Sequence, residues 1–391
     1  MEWQVREMTS TIKIHHGIQL NGIESLRGVA ALMVLLFHVA ALLKLTPPAY
    51  LSFVSTHFGN GVPLFYTLSG FVLAYGYAHR LEQRPQVLDF YVRRMFRIAP
   101  LFYFMLVVWI ALDWLVWHKI HPWRTVFLDA SFLFGLVPGE HESIVRAGWS
   151  IGIEMLFYLM FPVVALLIPN VRVALVTFVT VCILSDAARG AMQEAGVGSY
   201  AYMNFVTHLP NFVAGVASYR IWQRTRFARH WRGWLFLVVA LALAVGLVAG
   251  PLSNLLLRWI SPFAPSYAWS IVFALLILAT CTTAIGPLER GPLRHLGQIS
   301  FSFYLLHPFI LLGLIKIDLN GRLALLTADV GIRFFLGSAL AVALVWAAST
   351  VTFRWIEAPG IALGRRVASR VKRVSETQGI PQSRHSTQAT P

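Results

Sequence analysis

Charge is what this sequence has least of. Only 13% of its 391 residues are Asp, Glu, Lys or Arg, where a soluble chain carries about 25%. Residues of the apolar set make up 57%, more than one soluble core takes in, since cores stop growing near about 250–300 residues. An apolar fraction this high also excludes a disordered or collagen-like chain. Cysteine is nearly missing: Cys182 and Cys281 both lie inside apolar runs. That excludes a disulfide scaffold and a zinc framework and leaves them as packing residues. No phosphate-binding P-loop, dinucleotide fingerprint or zinc-ligand spacing is present. There is no internal repeat, and no cleavable leader is expected, because the polar start through Gly22 runs directly into a long apolar segment. What remains is a polytopic membrane protein. The net charge of +15, which in a soluble domain would suggest a nucleic-acid partner, is read here as a topology signal, with no nucleic acid expected.

Crossing the hydrocarbon takes about 20 apolar residues as helix, and helix is required because lipid satisfies no open backbone. Ten runs qualify, near residues 24–43, 62–79, 98–117, 150–168, 171–188, 204–221, 234–250, 268–285, 298–316 and 331–353. The fifth and sixth are diluted by Ser185, Asp186 and His208, and the run at 126–137 is short enough to be interfacial. The basic residues take sides: 23 of the 32 Lys and Arg fall beside the termini or in the connections after even-numbered runs. Lys and Arg collect on the cytoplasmic side, so both termini are expected there. The fold expected is therefore all-α, with about ten transmembrane helices. A short cytoplasmic segment (1–23) precedes the membrane domain (24–359), and a tail (360–391) follows it, basic first and then polar and disordered.

Ionisable residues at membrane depth are functional candidates. Arg27 and His38 are eleven residues apart, within 20° of three helical turns, so both project from one face. Arg27 falls near the cytoplasmic mouth and His38 about 16 Å further in, near mid-membrane. Imidazole suits proton transfer near neutral pH, although a histidine hydrogen-bonded between helices fits equally. Ser69 and Gly70 fall mid-run, where small residues also serve close helix packing. Ser150, Glu154 and Tyr158 repeat at i, i+4, i+8 along one face, and a carboxylate there must be paired, protonated or facing water. Ser300, Tyr304 and His307 share a face, and His307 also stands beside the helix-kinking Pro308. Arg94 and Arg97 open the third run from its cytoplasmic side. Cations there oppose the helix macrodipole, whereas an i, i+3 guanidinium pair suits an incoming polyphosphate.

Several of these stretches together resemble one family. Arg27-x10-His38, Phe65-Tyr-Thr-Leu-Ser-Gly-Phe71 and Arg94-x-x-Arg97-Ile-x-Pro100 are similar, in order, to the membrane-bound acyltransferase-3 family. Trp149-Ser-Ile-Gly-Ile-Glu154, Gly297-x-Ile-Ser-Phe-Ser-x-Tyr-x-x-His307 and Glu357-Ala-Pro359 continue the likeness. The resemblance implies a multi-pass enzyme of the bacterial inner membrane that O-acylates a carbohydrate, usually with acetyl. Its donor is expected to be acetyl-CoA or another acyl-CoA, a substrate rather than a resident cofactor. Its acceptor is expected to be a cell-surface or secreted glycan, such as lipopolysaccharide or exopolysaccharide, in some cases lipid-linked.

On that reading Arg27, Arg94 and Arg97 hold the donor's phosphates. His38 either deprotonates the acceptor hydroxyl or carries the acyl group. Glu154 contacts the acceptor or orients the histidine, while Ser69, Tyr304 and His307 supply hydrogen bonds to oxyanion or acceptor. No metal is expected. The residues alone also fit a proton-coupled transporter or flippase, which shows buried His, Glu and Arg for a different reason.

Overall fold

The computed structural model describes residues 21–78, 84–225 and 231–378, with side chains described as far as residue 371. Residues 1–20 of the expected N-terminal segment and the polar tail from 379 lie outside them, while residues 21–23 already belong to the first helix. Among the described residues all regular structure is helical. The long helices are α1 (Asn21–Leu42), α2 (Gly61–Tyr77), α3 (Arg84–Trp117), α4 (Trp149–Leu167), α5 (Val171–Glu194) and α6 (Phe205–Thr225). They continue as α7 (Trp231–Val248), α8 (Ala264–Thr282), α9 (Ser300–Lys316), α10 (Val330–Thr352) and α11 (Ala358–Gln378).

All ten expected runs coincide with a helix, but not all meet the same test. Seven helices are long and apolar enough to cross a membrane, and the bent pair Pro292–Gln298 and Ser300–Lys316, with an 85° break, makes an eighth. Helix α2 falls short by length, at 17 residues. Helix α6 falls short by composition, since its largely buried surface carries His208, Asn211 and Arg220. Helix α3 differs in the other direction: it begins at Arg84, well before the apolar run, and so carries Arg93, Arg94 and Arg97 on continuous helix. The short run at 126–137 forms the helix Trp123–Ala130 and a turn at Phe134–Leu136. Large apolar side chains such as Leu166, Ile183 and Val238 point outward, as on a lipid-facing surface. Tryptophans 117, 123 and 259 are exposed near helix ends, where amphipathic rings suit a membrane interface. The protein is a multi-pass membrane protein.

Two backbone-to-backbone crossings fix the helices that carry the site. A Cβ on Gly297 would stand 1.7 Å from the Glu24 carbonyl oxygen, so α1 lies directly on the helix Pro292–Gln298. A Cβ on Gly215 would stand 2.0 Å from the Thr67 carbonyl oxygen, which presses α6 onto α2. Only glycine allows approaches this close. The ion pair from Arg294 Nε to Glu24 Oε2, 2.9 Å, clasps the first crossing.

The far ends of the helices are joined by a folded layer at residues 118–148. His121 meets Asp113 at 2.7 Å, and Tyr103 donates to the Ala130 carbonyl at 2.8 Å. At its centre is Asp129, fully buried, accepting from the Ser143 hydroxyl and the Ile144 amide. Burial pushes its carboxyl up to about 6, against the pull of those two donors.

Candidate active site

The geometry starts from α1. Arg27 and His38 leave one face of the same helix, as the eleven-residue spacing requires. The helix ends at Leu42, only four residues and about 6 Å beyond His38. His38 is therefore near the C-terminal end of α1 rather than its middle, and the arginine-rich end of the bundle is the opposite one.

Six of the eight expected residues line one cavity: Arg27, Arg94, Arg97, Ser69, Glu154 and Tyr304. Helices α1, α2, α3, α4 and α9 each contribute. Among the described residues the three arginines make no ion pair within 4 Å. Arg94 is held between two phenol rings, its Cζ 5.5 Å from the Tyr77 centroid and 5.4 Å from that of Tyr158. Its Nε is buried without a partner. Such an unpaired donor costs free energy unless an acceptor arrives.

Glu154 faces these cations without touching them. Its Oε1 accepts from Ser69 Oγ at 3.0 Å and from the Tyr158 hydroxyl. It makes no hydrogen bond to either histidine among the described residues, so the expected orienting contact with His38 is not formed. A second carboxylate, Glu357, stands within Coulomb range of Arg97 and Arg27. It is buried, takes a 2.7 Å hydrogen bond from Ser302 Oγ on its Oε2 and leaves Oε1 unpartnered. The sequence shows Glu357 only as the start of Glu-Ala-Pro after the last apolar run. What aims it inward is the π-helical turn Phe353–Glu357, and such widened turns cluster at functional sites.

His38 and His307 do not line the cavity. They face each other with ring centroids 4.9 Å apart, one layer of aromatic rings beyond it. That layer is Phe65 against Tyr304, edge to face at 5.9 Å, and Tyr304 lies 5.4 Å from His307. Pro308 has no N–H, so the Tyr304 carbonyl four residues back is left free. The His307 Nδ1 takes that carbonyl, and the His38 Nδ1 pairs with the Val34 carbonyl at 2.8 Å. A carbonyl can only accept, so each Nδ1 carries a proton, and in the neutral ring the lone pair is then on Nε2. The Nε2 of His307 is buried without a partner. The proline kink and the functional candidate are thus one arrangement: the kink sets the tautomer.

The wall is completed by hydroxyls. Ser150 Oγ donates to the Tyr304 oxygen at 2.7 Å, the Tyr304 hydroxyl reaches the Ala147 carbonyl at 3.3 Å, and Tyr66 donates to the Ser150 carbonyl at 3.2 Å. Sequence reasoning missed Tyr66 and Phe65 as lining residues, since an aromatic inside an apolar run carries no signal of which way it faces. Chemically the site joins a chamber lined by three guanidinium groups and one carboxylate to a pair of imidazoles, with Tyr304 bordering both.

Comparison with known proteins bears on the family of the chain. A protein of Bacillus subtilis, named provisionally as a peptidoglycan O-acetyltransferase, is 26% identical over 342 residues, which is 77% of this chain and 50% of that one. A protein of Komagataeibacter xylinus, named provisionally as a membrane-bound transacylase, is 28% identical over 302 residues, covering 73% of this chain and 71% of its own. The peptidoglycan O-acetyltransferase of Listeria monocytogenes is 24% identical over 291 residues, covering 64% of this chain and 45% of that one. The chain thus spans about half the length of the Bacillus and Listeria relatives. No solved structure matches. A family profile described as an acyltransferase domain matches residues 20–350, and the chain belongs to this acyltransferase-3 family.

Proposed function

We propose that the protein moves an acetyl or other short acyl group from acyl-CoA to a hydroxyl of a carbohydrate, at the bacterial inner membrane. The observation that carries the proposal is the pairing of a chamber whose three arginines outnumber its acids with the histidine pair beyond Tyr304. A donor with phosphates at one end and a thioester at the other, joined by a long thin arm, fits that sequence of environments. Arg27, Arg94 and Arg97 bind the phosphates, Arg94 with its free Nε. The arm passes between Phe65 and Tyr304 and delivers the thioester to His38 and His307.

His38 acts as the base. Its Nε2 takes the proton of the acceptor hydroxyl as that oxygen bonds to the thioester carbonyl carbon. The carbon–sulfur bond then breaks, and CoA leaves as the thiolate that receives the proton. The Tyr304 hydroxyl borders the position of the developing oxyanion, where a fixed donor is worth most, while His307 packs against His38. Glu154, with Ser69 and Tyr158, keeps the chamber from being uniformly positive and lets the donor leave again. The basic residues mark the chamber's end as cytoplasmic, where acyl-CoA is made. The histidines, near the other end of α1, receive the acceptor from the opposite side. That acceptor is a glycan of the cell surface or one being secreted, and the names of the relatives favour peptidoglycan or another polysaccharide.

The test is transfer of labelled acetyl from acetyl-CoA by the protein in lipid nanodiscs, using soluble peptidoglycan fragments and simple oligosaccharides as acceptors. Ester formation by the wild type, lost in His38→Ala with an unchanged melting temperature, supports the reading. Equal turnover in the variant overturns it. A transporter predicts no ester at all.

A further inference from the structure

We propose that Arg365, on helix α11, forms a second anion subsite that grips the ribose 3′-phosphate of the donor. This rests on the acyl-CoA reading above and deepens it.

Helix α11 lies wholly beyond residue 350, where the family match ends. It packs along α3: a Cβ on Gly360 would stand 2.8 Å from Pro100 Cγ, and one on Gly364 2.5 Å from Phe96 Cβ. Rising numbers on α11 thus meet falling numbers on α3, so the helices are antiparallel. The same register sets Arg365 level with Arg94 and Arg97 on α3, outside the residues that line the chamber and within Coulomb range of Arg93 and Arg97. It is half-buried in this contact, while Arg366 and Arg370 on the same helix are exposed.

Arg93 is neutralised by Asp89, with both carboxylate oxygens within 2.9 Å of its Nε. Arg97 and Arg365 have no ion-pair partner among the described residues. The acid nearest Arg97, Glu357, is shared with Arg27, and Asp89 is taken by Arg93, so cations outnumber acids here and a further anion beside Arg97 and Arg365 would relieve their repulsion.

The donor's own chemistry supplies one. With the thioester at the histidines and the diphosphate at Arg27, Arg94 and Arg97, the adenosine end lies toward the arginine-rich surface. Its ribose carries a phosphate monoester, a dianion that a guanidinium fork binds well. A lipid headgroup offers the same phosphate chemistry at this depth, so the experiment separates the two sources.

Turnover is measured with acetyl-CoA and with acetyl-3′-dephospho-CoA, for wild type, Arg365→Ala, Arg365→Lys and Arg366→Ala, in nanodiscs of phosphatidylcholine alone and in nanodiscs with added anionic phospholipid. One charge-assisted contact corresponds to about a tenfold change in affinity. The wild type is expected to show a KM about tenfold lower for acetyl-CoA than for the dephospho donor. Arg365→Ala raises only the acetyl-CoA KM and erases that preference, Arg365→Lys keeps part of it, and Arg366→Ala keeps all of it.

The dephospho donor doubles as the folding control. A variant that loses turnover on both donors shows a merely structural role and overturns the proposal. So does a preference untouched by Arg365→Ala, or an effect that appears only when anionic phospholipid is added. If the wild type uses neither donor, the acyl-CoA reading itself has failed and the subsite falls with it. Use of acetyl-CoA without any 3′-phosphate preference sinks the subsite alone.

Discussion

The two ends of the site are built on opposite rules. In the chamber, three guanidinium groups line one cavity with no ion pair among the described residues, an arrangement that on the proposed reading a polyanion completes. At the histidine pair every Nδ1 proton is already spent on a backbone carbonyl, and only two lone pairs remain. One end is poised to bind and the other to accept a proton. Between them stand Phe65 and Tyr304, so the chemistry is separated from the charge by a single aromatic layer. Binding and reaction should therefore be separable by mutation.

The largest expected effect comes from the reacting end. His38→Ala should lower kcat for acetyl transfer at least about a thousandfold, at the scale of losing a general base, while donor binding by equilibrium dialysis changes little. A parallel loss of binding would erase the distinction. At the binding end, Arg97→Ala should raise KM for acetyl-CoA about ten- to hundredfold, one or two charge-assisted bonds, with kcat within a few fold. A kcat effect without a KM effect would move Arg97 out of the phosphate site. Phe65→Trp enlarges the ring between the two ends and should lower kcat about tenfold by misplacing the thioester. Unaltered kcat would mean that the donor does not pass there.

The smallest effect lies outside both ends. The Asp129 carboxyl, raised to about 6 by burial, binds its proton more tightly folded than unfolded. Stability should therefore be greatest below the ordinary carboxylate range and fall as pH rises through about 4 to 6, by roughly 1–3 kcal/mol. Melting temperatures of wild type should drop across that window, whereas those of Asp129→Asn should stay level. A wild type whose melting temperature climbs over the same window would contradict the assignment.

Much of this was legible in the chain because helical periodicity is a strong signal. Eleven residues set Arg27 and His38 on one face, and three residues did the same for Arg94 with Arg97 and for Tyr304 with His307. Periodicity tells which way a side chain leaves its helix, not what it meets. Nothing in the run Gly148-Trp-Ser-Ile-Gly-Ile-Glu154 says that Glu154 will take Ser69 and Tyr158 rather than a histidine.

Position along the helix is a separate matter: the apolar run through His38 continues to about residue 43, and α1 ends at Leu42, which leaves His38 four residues from its C-terminal end. Helix α3 began earlier than its hydropathy suggests, because its first turns are arginine-rich and held by Asp89 and by the packing of α11. Glu357 was hidden most completely, since a π-helical turn leaves no periodic trace. Helices α2 and α6 fell below a simple length or hydropathy test. Their Gly70, Asn211 and Gly215 serve the interior of the bundle rather than lipid.

The central claim is that one donor spans both ends, phosphates in the arginine chamber and acyl carbon at the histidines. Bromoacetyl-CoA tests it directly, because its electrophilic carbon alkylates the nearest nucleophile while the rest of the molecule binds as the donor does. Peptide mass mapping of the full-length protein in nanodiscs should find the label on His38 or His307. The labelling should be slowed by excess CoA and by Arg97→Ala. Label elsewhere, or labelling of the histidines that CoA does not protect against, would contradict the account.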